Sequence, residues 1–281
     1  MKQKQNKSET RTTEQISKHY AIETELANKL RNASKQERKI LYSYIYDELY
    51  RLVPDHPQLN RKQSSSETAQ DVQSQLSFLR IFITDDSKFL EVGPGDCSLS
   101  YEVAKYVKQV FAVDISEEIT RSSENPSNFQ LILTKGCDIP LPHNSIDVAY
   151  SNHLIEHLHP DDALEQLQNI YNILAPGGRY ICITPNKLKG PHDISKYFDE
   201  IATGLHLKEY TIFELKTLFR HAGFANIIFF GGARGIFKSF PVSLMVLYES
   251  LLDKLPNQFK KTIVQNKLFG TLLDIRIVGI K

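Results

Sequence analysis

Residues 88–96 read Lys88-Phe89-Leu90-Glu91-Val92-Gly93-Pro94-Gly95-Asp96, and this stretch decides the fold. An apolar run of strand length stops at two closely spaced glycines, which let a backbone turn sharply and approach a ligand. Nineteen positions beyond Gly95, a second apolar run, Val110-Phe111-Ala112-Val113, stops at Asp114. That interval accommodates one helix and the return strand of a right-handed βαβ unit. An acid at the tip of the second strand suits the two hydroxyls of a ribose. Together the two stretches predict a site for an adenosine-containing cofactor.

The loop departs from the dinucleotide pattern G-x-G-x-x-G, in which a pyrophosphate rests on a helix N-terminus. Here the loop reads Gly93-Pro94-Gly95-Asp96-Cys97-Ser98, with no third glycine. Glu91 stands two residues before the first glycine, where a dinucleotide strand keeps an apolar residue. A carboxylate there suits a cationic ligand and repels a pyrophosphate, which disfavours a nicotinamide-dependent dehydrogenase.

Working outward, strand-length apolar runs at 88–92, 109–113, 129–133, 146–150 and 178–183 alternate with helical patterns at about 97–107, 117–122 and 161–173. Alternation of this kind predicts a parallel sheet covered on both faces. Thr211-Ile212-Phe213-Glu214 is a capping box opening a helix that Gly223 ends, followed by a strand at 225–230. Ile275 to Ile280 is the last strand. The fold class is thus α/β: a Rossmann-like doubly wound sheet, mostly parallel with an antiparallel last strand, plus N-terminal helices and a helical insertion at about 238–270.

Residues 1–12 are polar and predict a disordered tail. Segment 13–87 predicts helices, the second opened by the capping box Ser34-Lys35-Gln36-Glu37 and ended by Pro54. Residues 54–67 read as a polar linker before another helix at about 68–81. The core with its insertion occupies 88–281. With 281 residues and 41% hydrophobic content, the chain can bury a full core. Its 34 basic and 33 acidic residues leave no electrostatic footprint for nucleic acid. Cys97, Cys137 and Cys182 form neither a metal-ligand spacing nor a disulfide framework, which points to a reducing, cytoplasmic setting. Residues 1–20 show no secretory apolar segment, and no run is long enough to span a membrane.

Glu91-Val92-Gly93-Pro94-Gly95 resembles the E/D-x-G-x-G motif of class I S-adenosylmethionine-dependent methyltransferases of the small-molecule, type 11/23 kind. Ser151-Asn152-His153-Leu154-Ile155-Glu156-His157 resembles the family's S-x-x-L-E-H continuation of the fourth strand. Ala175-Pro176-Gly177-Gly178-Arg179 resembles its turn before the fifth, and Ala222-Gly223-Phe224 is similar to a later segment. The ordered match covers about 88–232; Cys97 takes the place of the usual third glycine.

The resemblance implies S-adenosylmethionine as cofactor and methyl transfer to a small-molecule oxygen, nitrogen or carbon nucleophile. It implies that Gly93 and Gly95 pass beneath the methionine part and that Glu91 accepts a bond from the amino group. Asp114 would accept both ribose hydroxyls, with Ile115 packed on adenine, Asp138 on the adenine amino group and Ile139 beside it. Asp114 as a helix cap and Asp138 as a turn residue are the competing readings. Ser151 and Asn152 end the fourth strand at the carboxyl edge, where open α/β sheets bind ligands. His153, His157 and His192 are the candidate catalytic bases. His153 and His157 have i, i+4 spacing, yet Glu156-His157 recurs in this family without metal, so no metal is expected.

The loop 186–210, the helices of 13–53 and the 238–270 insertion are expected to close over the acceptor, with Tyr20, His192 and Tyr197 touching it. Either helical segment is equally suited to a dimer, so monomer and homodimer stay open. Two alternatives also remain: a non-catalytic, cofactor-binding partner subunit, and a membrane-peripheral enzyme for a lipid or quinone-like acceptor. The second rests on Leu251, Leu252, Leu255 and Phe259 beside Lys254, Lys260 and Lys261, a pattern that permits interfacial contact.

Overall fold

The structure is a computed structural model that describes residues 9–61, 65–115, 125–233 and 235–281. The first eight residues of the expected tail and the helix expected over 117–122 lie outside the described residues. Helices α1 (Thr13–Asn32) and α2 (Lys35–Leu52) open the described chain. Each begins in a capping box, Thr12 with Gln15 and Ser34 with Glu37, so that side chains satisfy amides the helix leaves unpaired. The stretch read as a linker instead holds a short helix, α3 (Pro57–Arg61), and the start of α4 (Ser65–Leu79).

The core then runs β1 (Lys88–Val92), α5 (Ser98–Val103), β2 (Gln109–Asp114), β3 (Phe129–Leu133), β4 (Ile146–Asn152), α6 (Pro160–Ile173) and β5 (Leu174–Thr184). It continues with α7 (Ile212–His221), β6 (Asn226–Ala233), β7 (Ile236–Pro241), α8 (Val242–Asp253), α9 (Asn257–Gln265), α10 (Lys267–Gly270) and β8 (Ile275–Ile280). The eight strands form one sheet in the order β3-β2-β1-β4-β5-β8-β6-β7. Strands β1 to β5 pair in parallel, and β8 runs antiparallel to both β5 and β6. The strand order reverses between β1 and β4, the switch point at which such sheets open a ligand crevice at their carboxyl edge.

Three details differ from the sequence reading. Helix α5 stops at Val103 rather than 107, and the Asn128 amide takes up the carbonyls of Ala104 and Val107 that a longer helix would use. Strand β5 starts at Leu174, because its glycine turn is a bulge within the strand, with the register shifting between Ile146 and Val148. The segment expected to open a helical insertion is instead β7, antiparallel to β6 at the sheet edge. Its exposed Lys238 and terminal Pro241 are residues that edge strands tolerate and central strands do not.

Strand alternation divides the core. Leu90 and Val92 face α1, α2, α6 and α7, whereas Phe89 packs with Leu76, Leu79, Leu99 and Val103 of α4 and α5. Helices α1 and α2 are part of the first cluster through Leu26, Leu30, Ile45 and Leu49. Arg38 of α2 clamps Asp162 of α6 through two bonds of 2.6 and 2.7 Å, and the Tyr42 hydroxyl donates to the same carboxylate at 2.9 Å. The N-terminal helices are thereby fastened to the sheet's cover.

Candidate active site

The carboxyl ends of β1 and β2 open into a cavity of about 720 Å³. Gly93, Gly95, Asp114, Ile115, Asp138 and Ile139, all anticipated from sequence, lie on its wall. Gly93 and Gly95 have φ of 71° and 58°, the left-handed region where a side chain is strained. A Cβ built on Gly95 would meet nothing within 4 Å, so this glycine faces the open cavity. Cys97 stands in the left-handed residue before α5, and burial pushes its thiol up to about 12, so the sulfur is chemically quiet.

Asp114 accepts the Ile115 amide at 2.6 Å, as a turn-forming acid does, and remains on the cavity wall. Asp138 is 56% exposed and 3.3 Å from the Lys39 ammonium. The Thr134 hydroxyl, on the same wall, is buried with no hydrogen-bond partner among the described residues. A buried polar atom without a partner is costly, and a polar ligand in the cavity relieves it. Positive-φ glycines, an acid at the ribose position, apolar Ile115, Ile139 and Leu154, and this orphaned hydroxyl together fit an adenosine-bearing sulfonium.

Glu91 sits elsewhere. Alternation turns it to the α5 face with Phe89, where it is 5% exposed and accepts the Ser100 hydroxyl at 2.6 Å. Burial pushes its carboxyl up to about 8, with Asp96 and Asp114 adding to the rise against the Ser100 bond. It does not line the cavity. Ser151 and Asn152 are also off the wall: Ser151 shares a 2.7 Å bond with the Tyr180 hydroxyl, and the Asn152 amide donates to Gln75 at 3.3 Å.

A second cavity, of about 580 Å³, adjoins the first. Tyr46 of α2 and His157 belong to the walls of both. Loop 186–210 contributes His192, Asp193, Tyr197 and His206, as its departure from the carboxyl edge leads one to expect. Five further wall residues were not read from sequence: Glu9 and Arg11 of the supposed tail, His19 and Glu23 of α1, and His56 before α3. The tail is tied down where Glu9 pairs with Arg11 at 2.8 Å and accepts the Tyr197 hydroxyl at 2.8 Å. Tyr20 is absent from this wall; its ring stacks on Phe198 and its hydroxyl donates to Asp199. The 238–270 segment lines neither cavity among the described residues.

The three candidate bases separate. His153 is 57% exposed, has φ of 53°, bonds Glu156 at 3.0 Å and lines neither cavity. It precedes a single 3-10 turn, Ile155–His157, so the i, i+4 pair does not share a regular helix face. His192 lies on the second wall against the Glu209 carboxylate at 3.2 Å. His157 stands between the cavities, with its Nδ1 2.7 Å from the Tyr46 hydroxyl and 3.1 Å from the Leu205 carbonyl. A carbonyl only accepts, so we assign the proton to Nδ1, which leaves the Nε2 lone pair free. Burial lowers this imidazole to about 4, keeping it neutral at pH 7.

Two buried carboxylates organise the histidines. Burial raises Glu156, but the His153 bond and the nearby His157 and His206 outweigh it and bring the group to about 2. Burial likewise raises Glu209, and its bonds with His192 and His206 outweigh that effect, again to about 2. Among the described residues, two trios bring donor atoms within 4.8 Å of one another: His19, Glu23 and His56, and Glu156, His157 and His206.

Residues 90–182 match the methyltransferase domain family. A probable S-adenosylmethionine-dependent methyltransferase of Mycolicibacterium smegmatis is 28% identical over 137 residues, 48% of this chain and 51% of that protein. The chain thus spans about half the length of this curated relative. A solved complex of the Haloferax volcanii Trm112 methyltransferase activator with a methyltransferase shares the fold. Its TM-score is 0.51 at 16% identity, covering 73% of this chain and 86% of the other.

Proposed function

We propose that this chain is a class I S-adenosylmethionine-dependent methyltransferase that transfers the cofactor's methyl group to a small polar acceptor seated in the histidine-lined cavity. The observation that carries this reading is the shared wall: Tyr46 and His157 border both the glycine-loop cavity and its polar neighbour. A methyl group at the end of one cavity thereby faces an acceptor in the other.

When bound, the cofactor supplies an electrophilic methyl on a sulfonium. The protein's own task is to hold, align and dehydrate. Gly93 and Gly95 give the methionine part room, Asp114 takes the ribose hydroxyls, and Ile115, Ile139 and Leu154 enclose the adenine. Asp138 is available to the adenine amino group. Glu91, Ser151 and Asn152 act from behind the wall, by supporting the strand tips that carry the loop. On the acceptor side, the His192 imidazole backed by the Glu209 carboxylate is the pair suited to take the proton a hydroxyl or amine gives up. His157 marks the transfer point, and His153 is an exposed partner of Glu156.

The second cavity favours an acceptor of metabolite size with several hydrogen-bonding groups, since its wall is dominated by ionisable side chains. The test is to incubate the protein with S-adenosylmethionine and a fractionated pool of small metabolites and follow S-adenosylhomocysteine by mass spectrometry. Acceptor-dependent product that His192→Ala slows, with cofactor affinity retained, is the expected result. Tight cofactor binding with no acceptor in the pool, and activation of a partner protein instead, would favour a non-catalytic subunit.

A further inference from the structure

We propose that Glu156, His157 and His206 bind a divalent transition-metal ion of zinc type at the boundary between the two cavities. The inference builds on the methyl-transfer reading by placing a Lewis acid where the acceptor meets the methyl group. It parts from the sequence expectation of no metal, which considered the His153 and His157 pair. The third donor is His206, which no local spacing connects to the Glu156-His157 motif.

The geometry of the donors is the first argument. His206 Nδ1 lies 2.7 Å from Glu209 Oε1, a carboxylate that only accepts, so Nδ1 carries the proton and Nε2 is the atom left to bind. His157 is oriented in the same way by the Leu205 carbonyl and the Tyr46 hydroxyl. Metal-bound histidines are held in this fashion, the outer N–H given to a carboxylate or backbone carbonyl. The two rings stand edge to face with centroids 4.8 Å apart. All three donor groups lie within 4.8 Å of one another. At the tetrahedral angle two bonds of about 2.1 Å place their donors about 3.4 Å apart, so the donors close by at most about 1.4 Å around an ion.

Charge is the second argument. The Glu156 side chain has no exposed surface, and its bonds are to His153 and the Thr184 hydroxyl. No lysine or arginine among the described residues bonds to this carboxylate. A buried carboxylate is costly unless a positive charge faces it. Glu209, also buried, adds a second negative charge behind His206. A dication between the histidines answers both.

Two histidines and one glutamate are a donor set that zinc accepts with a fourth position open. Both histidines border the polar cavity, so the open position faces the acceptor. There a hydroxyl or water oxygen would bind and become more acidic, with His192 beside Glu209 to receive the proton. The other trio is less suited. His19 Nδ1 meets the Arg11 guanidinium at 2.8 Å, so the proton on Nε2 is spent on Glu23 and no nitrogen lone pair remains.

The full chain, stripped with chelator and titrated with Zn²⁺ in a calorimeter and with Co²⁺ in a spectrophotometer, tests the assignment. One equivalent of each should bind, and Co²⁺ should give the intense visible bands of four-coordination. His206→Ala should weaken Zn²⁺ binding at least tenfold and abolish the bands while cofactor affinity is retained, and an exposed control, His221→Ala, should bind metal and cofactor as the wild type does. Glu209→Gln, which leaves all three donors in place, should weaken binding about tenfold. No stoichiometric ion in the wild-type chain overturns the proposal and leaves the His206 proton as the charge that faces Glu156. Binding that survives His206→Ala but not His19→Ala overturns it in favour of the other trio. Metal binding by a chain that fails to bind S-adenosylmethionine would sink the methyl-transfer reading and spare this one.

Discussion

Asp114 and Glu91 show how one acid can be read from its position and another cannot. Asp114 ends β2 on the cavity wall, and the interval from Gly95 was enough to place it there. Asp114→Ala should weaken S-adenosylmethionine binding by about 1–3 kcal/mol, the cost of leaving ribose hydroxyls unpaired, as calorimetry can measure. Unchanged affinity would reduce Asp114 to the turn contact it makes with Ile115. Glu91 was placed toward the ligand by its offset from Gly93, yet the pleat turns it to Ser100. Its carboxyl rises from the ordinary 4.5 to about 8, so the native chain holds a proton that the unfolded chain has released. The stability this contributes is full below pH 4.5 and is lost as pH rises through about 8. Melting curves from pH 5 to 8.5 should therefore fall less steeply for Glu91→Gln than for the wild type. Parallel curves would mean that the carboxyl is already ionised at pH 5.

At the scale of elements, the alternating core was legible because a βαβ unit is specified locally: strand-length apolar runs, glycine turns and capping boxes lie within a few residues of one another. Strand β7 was hidden because an edge strand with Lys238 and Pro241 has the polar, interrupted pattern of a loop. Helix α8 was recognised, but its apolar residues divide. Val242, Met245 and Leu252 are buried, whereas Leu244, Leu247 and Leu251 form an exposed row. Replacing those three by serine should leave the melting temperature nearly unchanged, because exposed side chains away from caps and networks contribute little. A marked loss would show that the row is covered, by a second copy or otherwise. The attachment of α2 to α6 carries the opposite expectation. Arg38 and Asp162 are 5% and 4% exposed, and Arg38→Ala strands the carboxylate. A loss of about 3–5 kcal/mol in chemical denaturation is expected. A loss below about 1 kcal/mol would show that the Tyr42 hydroxyl alone satisfies Asp162.

For the whole molecule, the cofactor cavity is built largely by neighbours in sequence and the polar cavity by strangers. Histidines 19, 56, 157, 192 and 206 converge there from four separate segments, and no spacing rule could have joined them. The N-terminal segment was expected to close over the acceptor. It does more, since Tyr42, Tyr46 and Tyr50 also wall the cofactor cavity. Removing residues 1–11 takes Glu9 and Arg11 from the polar cavity and spares the Thr12 cap of α1. That deletion should raise the KM for the acceptor about tenfold or more and leave cofactor affinity within about twofold, since hydrogen bonds to charged groups contribute about 1.5–3 kcal/mol each. Equal effects on both ligands would mean that the two cavities are one.

The long reach of these contacts also bears on how the chain is made. Glu23 accepts the Leu205 amide across 182 residues, and Tyr197 reaches Glu9 across 188. At about 5–20 residues per second, a growing chain exposes α1 for roughly 10–40 s before its partner loop exists. For the first part of that wait, until the strands from Lys88 onward are made, Leu26 and Leu30 have no sheet to rest against. Nascent chains of this protein are accordingly prone to aggregate before loop 186–210 emerges, and the polar cavity stays incomplete until His206 has been made.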